Sequence, residues 1–324
     1  MASTTTLCRR FQVGDEVAVN RAFESSRGVA RSLDEWAWKF PPEAEGRAIV
    51  LGERDGEVLT HCAGVPVRFA FDGREFDALQ IVDVFSRPSA PSAGLLKCTV
   101  EAFLQEFGLS GRFPLAFGFQ DLRSDEPGAV ELGGGAEKRE PFISLRRRPS
   151  SRSPIRRLFY RAEPARDWEP RLDDLWRRVR HRYPVAVIRD AGHALRRFAG
   201  HPTVRYRRFL VFPRFSRHAV AFAVFRCDGG SCRWVDLLWD HAHPGALERL
   251  AHISAGLQRE AGAESEEMWL TGDPRGRARL EALGFHAEEG PAPPSMVARS
   301  FEPEIDAAGL LSRCYLTMAD TDMV

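Results

Sequence analysis

Runs of apolar residues divide the chain into two successive stretches of strands and helices. In the first stretch, strands are predicted where apolar residues are continuous or alternate, at 5–12, 48–51, 58–71, 76–85 and 114–119. Asp55-Gly56 and Asp72-Gly73 are typical of the hairpin turns that join such strands. The segment 95–107 has apolar residues at helical spacing and predicts an amphipathic helix. Two shorter helices are expected to follow Asp15 and Ser32, because both side chains suit an N-cap.

The second stretch repeats this order of elements. Strands are predicted at 206–212, 218–226, 232–238 and 268–270. Helices are predicted at 173–182, 244–260 and 275–283. Before this stretch, the segment 122–141 is polar and contains three consecutive glycines, which is typical of a loop.

The length and the repeated order of elements indicate two domains. A chain of 324 residues is long enough for two cores of about 150 residues each. We predict a mixed α/β fold with an N-terminal domain at 1–145, an arginine-rich linker and helix at 146–182, and a C-terminal domain at 183–324. The shared order favours a tandem pair of related domains, although two unrelated mixed domains can produce the same order by chance.

Charge and hydropathy narrow the range of partners. The formal net charge of +1 gives no global reason to expect a polyanion. The linker segment 146–182 holds thirteen arginines and five acidic residues, which fits either a nucleic-acid surface or a solvated linker and helix face; we favour the solvated face. No stretch approaches the roughly 18 apolar residues of a membrane span, and residues 1–10 lack the apolar core of a signal peptide. We therefore expect a cytoplasmic protein with no membrane partner.

The six cysteines are dispersed along the chain, which in a long cytoplasmic protein favours free thiols over a disulfide framework. Cys227 and Cys232 flank a turn-forming tetrapeptide, so their side chains are expected to face each other across a hairpin. A zinc site at this hairpin would need further ligands such as His241 and His243. We favour buried thiols and loop histidines, and expect no metal.

Short sequence pieces in a consistent order resemble the GNAT (Gcn5-related N-acetyltransferase) superfamily, in its two-domain bacterial branch. In the first half, the similar pieces are 11–23, Trp-Ala-Trp-Lys-Phe at 36–40, Gln-Ile-Val-Asp-Val-Phe-Ser-Arg-Pro at 80–88, and Phe-Gly-Phe-Gln at 117–120. In the second half, they are 187–190, 196–198, 283–285 and the ending Tyr-Leu-Thr-Met-Ala-Asp-Thr-Asp at 315–322. The resemblance covers nearly the whole chain and implies tandem acyl-CoA N-acyltransferase domains.

The resemblance implies an acyl-CoA site in the first half. Such a site needs a splayed central strand and a loop that leads into a helix, whose N-terminal amides hold the CoA pyrophosphate. The matching positions here are Val84, Phe85, Ser86, Arg87, Ser92, Ala93, Gly94 and Leu95. Candidate general bases are Asp83 and His61, with the acids Asp320, Asp322 and the C-terminal carboxylate of Val324 as further candidates. Structural roles compete with each of these assignments, and terminal acids commonly extend into solvent.

The cofactor loop departs from the pattern of the family. That pattern reads approximately Pro-x-x-Arg-Gly-x-Gly, whereas residues 88–94 read Pro-Ser-Ala-Pro-Ser-Ala-Gly. Pro91 stands in place of the arginine and removes an N–H donor, while Gly94 is retained. Arg87 can supply the missing positive charge or be an ordinary surface arginine.

Two classes of function follow from these features. The first is an N-acyltransferase that moves an acetyl or other acyl group from acyl-CoA to an amine of a small molecule or sugar. The alternative is a catalytically degenerate protein of the same fold that binds or scaffolds in a biosynthetic pathway. A third hypothesis is nucleic-acid binding through 146–182, and a transferase that uses aminoacyl-tRNA donors is a minor alternative, which tRNA binding would distinguish. The sequence leaves the acceptor and the oligomeric state open.

Overall fold

The computed structural model forms two compact units, and each unit is built from segments that are separated in the sequence. It describes residues 6–41, 47–88, 93–120, 136–139, 142–148, 155–228, 230–288 and 293–321. Unit 1 comprises Met1–Arg68, Phe76–Arg139 and Ser295–Leu311. Unit 2 comprises Phe69–Glu75, Glu140–Pro294 and Ser312–Val324. The domains expected from the sequence are contiguous, whereas each unit also takes a segment from the other half of the chain.

The predicted strands and helices occur in the expected order, and the structure adds strands and helices that the sequence did not predict. The strands are β1 (Thr6–Arg10), β2 (Ala48–Arg54), β3 (Glu57–Phe71), β4 (Arg74–Ser86), β5 (Leu115–Gln120), β6 (Glu137–Arg139), β7 (Ile143–Arg147), β8 (Tyr160–Pro164), β9 (Val185–Val187), β10 (Arg207–Pro213), β11 (Ala221–Asp228), β12 (Ser231–Trp239), β13 (Ser265–Thr271), β14 (His286–Ala287), β15 (Ser295–Ser300) and β16 (Leu316–Thr317). The helices are α1 (Glu16–Arg27), α2 (Leu33–Lys39), α3 (Ala93–Phe103), α4 (Arg171–Val179), α5 (Ala191–Phe198), α6 (Pro244–Ala261), α7 (Pro274–Ala282) and α8 (Ala307–Arg313).

The sheet of unit 1 has the strand order β1-β2-β3-β4-β5-β15-β6. Neighbouring strands are antiparallel in the described ladders, except that β4 and β5 run parallel. The buried run of β2 alternates between two cores: Ala48 and Val50 face the core that includes α3, while Ile49 and Leu51 face the core that includes α1 and α2. Helices therefore cover both faces, which explains why this strand is continuously apolar rather than alternating.

The sheet of unit 2 has the strand order β14-β7-β13-β12-β11-β10-β8, with β16 also pairing with β13. The pair β12 and β13 is parallel, as the pair β4 and β5 is in unit 1. The segment 146–182, expected to be a linker and helix, contributes the end of β7, the strand β8 and the helix α4 to this unit. Leu172, Leu175 and Trp176 of α4 belong to the buried core, so this segment is part of the fold.

The two predicted N-caps have different outcomes. Ser32 caps α2 as expected: its hydroxyl accepts from the amide of Glu35, whose carboxylate in turn accepts from the amide of Ser32. Asp15 stands at the N-cap position of α1 as predicted, but its carboxylate forms no capping bond to the helix. Instead it accepts hydrogen bonds from the amide of Gln12 and the guanidinium of Arg9. A nearby cation and a preceding amide thus compete successfully for a side chain of cap type.

Candidate functional site

The two parallel strands of unit 1 separate at one end. The described pairing joins Leu79 to Ala116, Gln80 to Phe117 and Ile81 to Gly118, and β4 then continues to Ser86 beyond the last paired residue. At that last pair the backbones are close: a Cβ on Gly118 would lie 3.1 Å from the carbonyl oxygen of Ile81. The sheet therefore opens at the carboxyl ends of β4 and β5, which is where open α/β sheets place their ligands.

At the end of β4, some backbone peptide groups point away from β3 and toward this opening. Asp83 has φ of 51°, a left-handed conformation that interrupts the regular strand. Beyond it, the amide of Arg87 donates to Leu59 of β3 at 2.9 Å. Because peptide groups alternate in direction along a strand, Val84 and Ser86 then direct theirs away from β3. The carbonyl of Val84 accepts a hydrogen bond from Arg27 of α1 at 2.8 Å.

The start of α3 follows β4 and is held against the sheet. The hydroxyl of Thr99 donates to the carbonyl of Leu95 and lies 2.7 Å from the hydroxyl of Thr60 on β3. Gly94 is exposed, and a Cβ there would meet no atom within 4 Å. The helix therefore presents an anchored N-terminal turn with open space at Gly94, which is the geometry that binds anions. Ser92 lies outside the described residues.

Asp83, a candidate base, is held in a buried ion-pair cluster. Its carboxylate accepts from Lys39 at 2.6 Å and from Arg31, and only 5% of its side chain is exposed. Burial by itself raises the pKa of this carboxyl, but the charges of Lys39 and Arg31 outweigh burial and hold the pKa well below its usual range. So weak a base suits a structural anion that stabilises the interruption of β4.

His61, the other candidate base, is fully buried beneath the same strand. Its ring stacks on Phe85 with centroids 4.9 Å apart, and its Nδ1 lies 2.6 Å from the carbonyl oxygen of Asp83. Burial lowers the pKa of His61 to about 4, against the opposing charge of Asp83. The histidine is therefore neutral at pH 7. Its contact with the carbonyl of Asp83 stabilises the backbone conformation of that residue.

We expect unit 1 to lose stability as pH falls from about 6.5 to 4. The unfolded chain protonates His61 near pH 6.5, whereas the folded chain keeps it neutral to about pH 4, so protons favour unfolding throughout this window. A shift of this size corresponds to about 3 kcal/mol. Urea unfolding at pH 7 and pH 4.5 should show a smaller acid loss for His61→Gln than for wild type. His286→Gln, at an exposed histidine, is the control, and equal acid losses in all three proteins would contradict the expectation.

The arginine expected to meet phosphate already has a partner. Arg87 forms an ion pair with Glu57 of β3, whose side chain is 62% exposed. A phosphate at this position would have to compete with that carboxylate for the guanidinium. Because the pair is near the surface, its exchange costs little.

In unit 2 the corresponding opening is filled by the chain itself. The strand β12 continues beyond its last described pairing with β13, at Trp234 and Met268. There, β16 pairs with β13 through Leu316 and Thr317. At the start of α6, a Cβ on Gly245 would lie 2.5 Å from the ring of Tyr160. In unit 2, therefore, the opening between the parallel strands is covered, and so is the N-terminus of the helix that follows β12.

A buried ionic cluster secures the segment that fills this opening, and one of its members is Asp320, which the sequence offered as a candidate base. Arg189 donates to Asp236 at 2.9 Å and to Asp320 at 2.5 Å, and these three side chains are fully buried. Thr317 links the two carboxylates, because its hydroxyl donates to Asp236 at 2.9 Å and its amide donates to Asp320 at 2.7 Å. Burial raises the pKa of both carboxyl groups; at Asp236 the guanidinium outweighs burial, whereas at Asp320 it does not.

Asp320 therefore does not extend into solvent, as terminal acids commonly do, because it pairs with a buried guanidinium. Asp322 and Val324 lie outside the described residues. The signal that could have pointed to this cluster is the ending at 315–322, which resembles the two-domain family, together with Arg189 in a second similar piece.

The cysteine prediction is corrected at one pair. Cys227 and Cys232 do face each other across the β11–β12 hairpin, as expected, but they form a disulfide rather than two free thiols. Directly opposed positions on antiparallel strands bring the two sulfur atoms within bonding reach, which sequence spacing alone does not establish. Within the described residues, no group of three histidine, cysteine or acidic side chains is arranged to hold a metal ion.

The arginines of 146–182 are largely used within unit 2. Arg147 is buried and donates to Glu266 at 2.5 Å, so it belongs to the core rather than to a solvated linker. Arg171 pairs with Glu163 and Glu169. Such pairing leaves less positive charge for a polyanion than the count of arginines implies. In the helices that the structure describes, there is none with the length and apolar character of a membrane span.

Comparison with known proteins identifies the fold. Neither a protein-family model nor a curated protein matches the sequence. A protein of unknown function from Enterococcus faecalis, a probable N-acyltransferase, is similar in structure with a TM-score of 0.68 and 14% identity, covering 93% of this chain and 73% of that one. A GCN5-related N-acetyltransferase from Kribbella flavida has a TM-score of 0.68 and 13% identity, covering 91% and 71%.

N-myristoyltransferase from Saccharomyces cerevisiae, solved with bound myristoyl-CoA and inhibitors, has a TM-score of 0.58 and 10% identity. This likeness covers 92% of the present chain and 80% of the yeast chain. The predicted fold is thereby confirmed: the chain has the fold of GCN5-related N-acetyltransferases, and its two mixed sheets fit the tandem arrangement.

Proposed function

We propose that this protein is an N-acyltransferase whose unit 1 binds acyl-CoA and acylates an amine of a small molecule or sugar. The observation that carries the proposal is the separation of β4 and β5 directly before α3. That separation exposes a strand edge next to a helix N-terminus, the two parts that bind a long thioester carrying a pyrophosphate. In unit 2 the equivalent opening is occupied by β16. One acyl-CoA site per chain is therefore proposed.

The backbone of β4 and the first turn of α3 supply the proposed contacts. The peptide groups of Val84 and Ser86 would pair with the amides of the pantetheine arm, with Phe85 between them packed into the sheet. The amides of Ala93, Gly94 and Leu95, with the Ser92 hydroxyl, would hold the pyrophosphate. Arg87 would exchange Glu57 for a phosphate. For the carbonyl contact at Val84, the guanidinium of Arg27 must move aside.

The reaction is an attack by the neutral amine on the thioester carbonyl. A strand amide stabilises the oxyanion as the new C–N bond forms, the C–S bond then breaks, and the proton lost by the amine ends on the CoA thiol. Asp83 and His61 are both enclosed, so their proposed role is to hold the strand that positions the thioester. Positioning alone can supply a large share of the rate.

Calorimetric titration with acetyl-CoA tests the proposed site. Wild type should bind with a Kd on the order of 10 μM, about −7 kcal/mol. Gly94→Asp should weaken binding at least tenfold, because a carboxylate at the helix N-terminus repels the pyrophosphate while it favours the helix itself. Gly94→Ala is the matched control, since the open space there accepts a methyl group without a clash.

Release of free CoA in the presence of a panel of amines then tests the transfer step. Binding without transfer to any amine would favour the degenerate binding protein, which the missing loop arginine and Pro91 also favour. No binding of acetyl-CoA or CoA, or equal binding by Gly94→Asp and wild type, would overturn the proposed site.

A further inference from the structure

Two cysteines that are far apart in sequence meet on the surface of unit 1. Cys8 lies on β1 and Cys98 on α3, and their sulfur atoms are 2.8 Å apart. That distance is within about 1 Å of the length of a disulfide bond, about 2.05 Å. The two residues are separated by ninety positions, so the proximity results from packing α3 against β1 rather than from local sequence.

The surroundings of the two thiols give them different reactivity. Cys98 is exposed, whereas Cys8 is partly buried and also lies 3.8 Å from the hydroxyl of Thr99. Burial, followed by the hydrogen bond to Cys98, raises the pKa of Cys8 to about 11. Since the thiolate is the attacking form, the accessible Cys98 is the thiol that reacts first, and Cys8 is placed to react second.

We propose that Cys8 and Cys98 are a dithiol pair that small-molecule disulfides such as oxidised glutathione convert into a disulfide linking β1 to α3. The Cys98 thiolate attacks one sulfur of the small disulfide, which forms a mixed disulfide and releases one thiol. Cys8 loses its proton to solvent and attacks the Cys98 sulfur, which releases the second thiol. Two protein thiols are oxidised, and one disulfide is reduced to two thiols.

The other four cysteines are buried or already bonded, so oxidation by a small disulfide is expected at Cys8 and Cys98. Cys62 and Cys314 are buried, and burial raises the pKa of both thiols well above the usual value. Cys227 and Cys232 already form a disulfide. Among the cysteines, all of which the structure describes, only the pair on β1 and α3 joins an exposed thiol to a neighbouring thiol.

The proposed link restrains the helix at the candidate site. Cys98 is adjacent to Thr99, which binds Leu95 in the first turn of α3 and Thr60 on β3. A bond to β1 adds a covalent restraint at the same point. A cross-link over ninety residues also removes much conformational freedom from the unfolded chain, so the oxidised protein should unfold at a higher temperature.

Peptide mapping identifies the bond directly. The purified full chain is incubated with oxidised glutathione, its free thiols are alkylated, and it is digested with trypsin without reduction. Cys8 falls in the peptide 1–9 and Cys98 in 98–112, while Cys227 and Cys232 share the peptide 227–233. We expect a linked 1–9/98–112 pair and a rise in Tm of about 5 °C, both reversed by dithiothreitol.

Serine variants separate the disulfide from other oxidation. Cys98→Ser and Cys8→Ser should each lose the linked pair and the rise in Tm, and Cys8→Ser should retain a glutathione adduct on Cys98. If wild type shows only single glutathione adducts, or no linked pair, the proposal is overturned. A linked pair without a change in Tm would overturn the expected stabilisation by the cross-link. None of these readouts depends on binding of acyl-CoA.

Discussion

Replacing Arg189 with methionine is expected to destabilise unit 2 by about 3–5 kcal/mol. The substitution leaves Asp236 and Asp320 buried side by side without the guanidinium that lies between them. It also removes a donor to the carbonyl of Val187 and a donor to the hydroxyl of Thr317, and Thr317 lies in the segment that fills the opening of unit 2. The change should lower Tm and increase hydrogen exchange at 314–321, measured by mass spectrometry.

A triple variant shows whether the loss of stability comes from the unpaired carboxylates or from lost packing. Arg189→Met combined with Asp236→Leu and Asp320→Leu should recover a large part of the lost stability, since apolar groups of similar volume can replace a buried ionic cluster. Arg196→Met, on the exposed face of α5, should change stability by less than about 0.5 kcal/mol. If Arg189→Met behaves like Arg196→Met, the cluster does not secure the C-terminal segment.

Replacing Asp83 with alanine is expected to destabilise unit 1 by about 3–5 kcal/mol. It leaves the cations of Arg31 and Lys39 without the buried carboxylate that both contact. It also places alanine at φ of 51°, a conformation that is unfavourable by about 1–2 kcal/mol for residues other than glycine, asparagine and aspartate. Tm and hydrogen exchange at 79–88 are the measurements.

Asparagine at the same position separates charge from backbone conformation. Asp83→Asn tolerates the positive φ but removes the charge, so it should recover only the smaller, conformational part of the loss. Asp77→Asn, an exposed position earlier on β4, is the matched control. A fully stable Asp83→Asn that retains acyl-CoA binding but loses transfer would instead assign Asp83 to catalysis.

Much of unit 1 could be predicted because its signals are local. The helix predicted at 95–107 appears as α3 followed by a π-helical turn at Leu104–Gly108, since apolar residues at helical spacing need only a nearby sheet to cover them. The hairpin turn at Asp55-Gly56 also occurs as expected, as does the one at Asp72-Gly73 in unit 2, with positive φ at all four residues. These features depend on a few neighbouring residues.

The strand and the helix that flank the candidate site could be predicted from the sequence, whereas the surroundings of the candidate residues could not. The residues after β4 lead into α3 as the resemblance implies. The sequence could not show that Asp83 and His61 are enclosed, because their partners Arg31, Lys39 and Phe85 converge through packing. Nor could it show that Arg87 is engaged by Glu57, thirty positions away on another strand.

The sequence by itself determined the local elements, their order and the departure of the loop at 88–94 from the pattern of the family. Only the tertiary structure decided that β15 pairs with β5, that Arg189 pairs with two buried carboxylates, and that the C-terminal segment fills one of two similar openings. The physical reason is range: local elements follow from steric preference and periodicity over a few residues. Strand neighbours and buried charge partners over a hundred positions apart depend on which surfaces bury together.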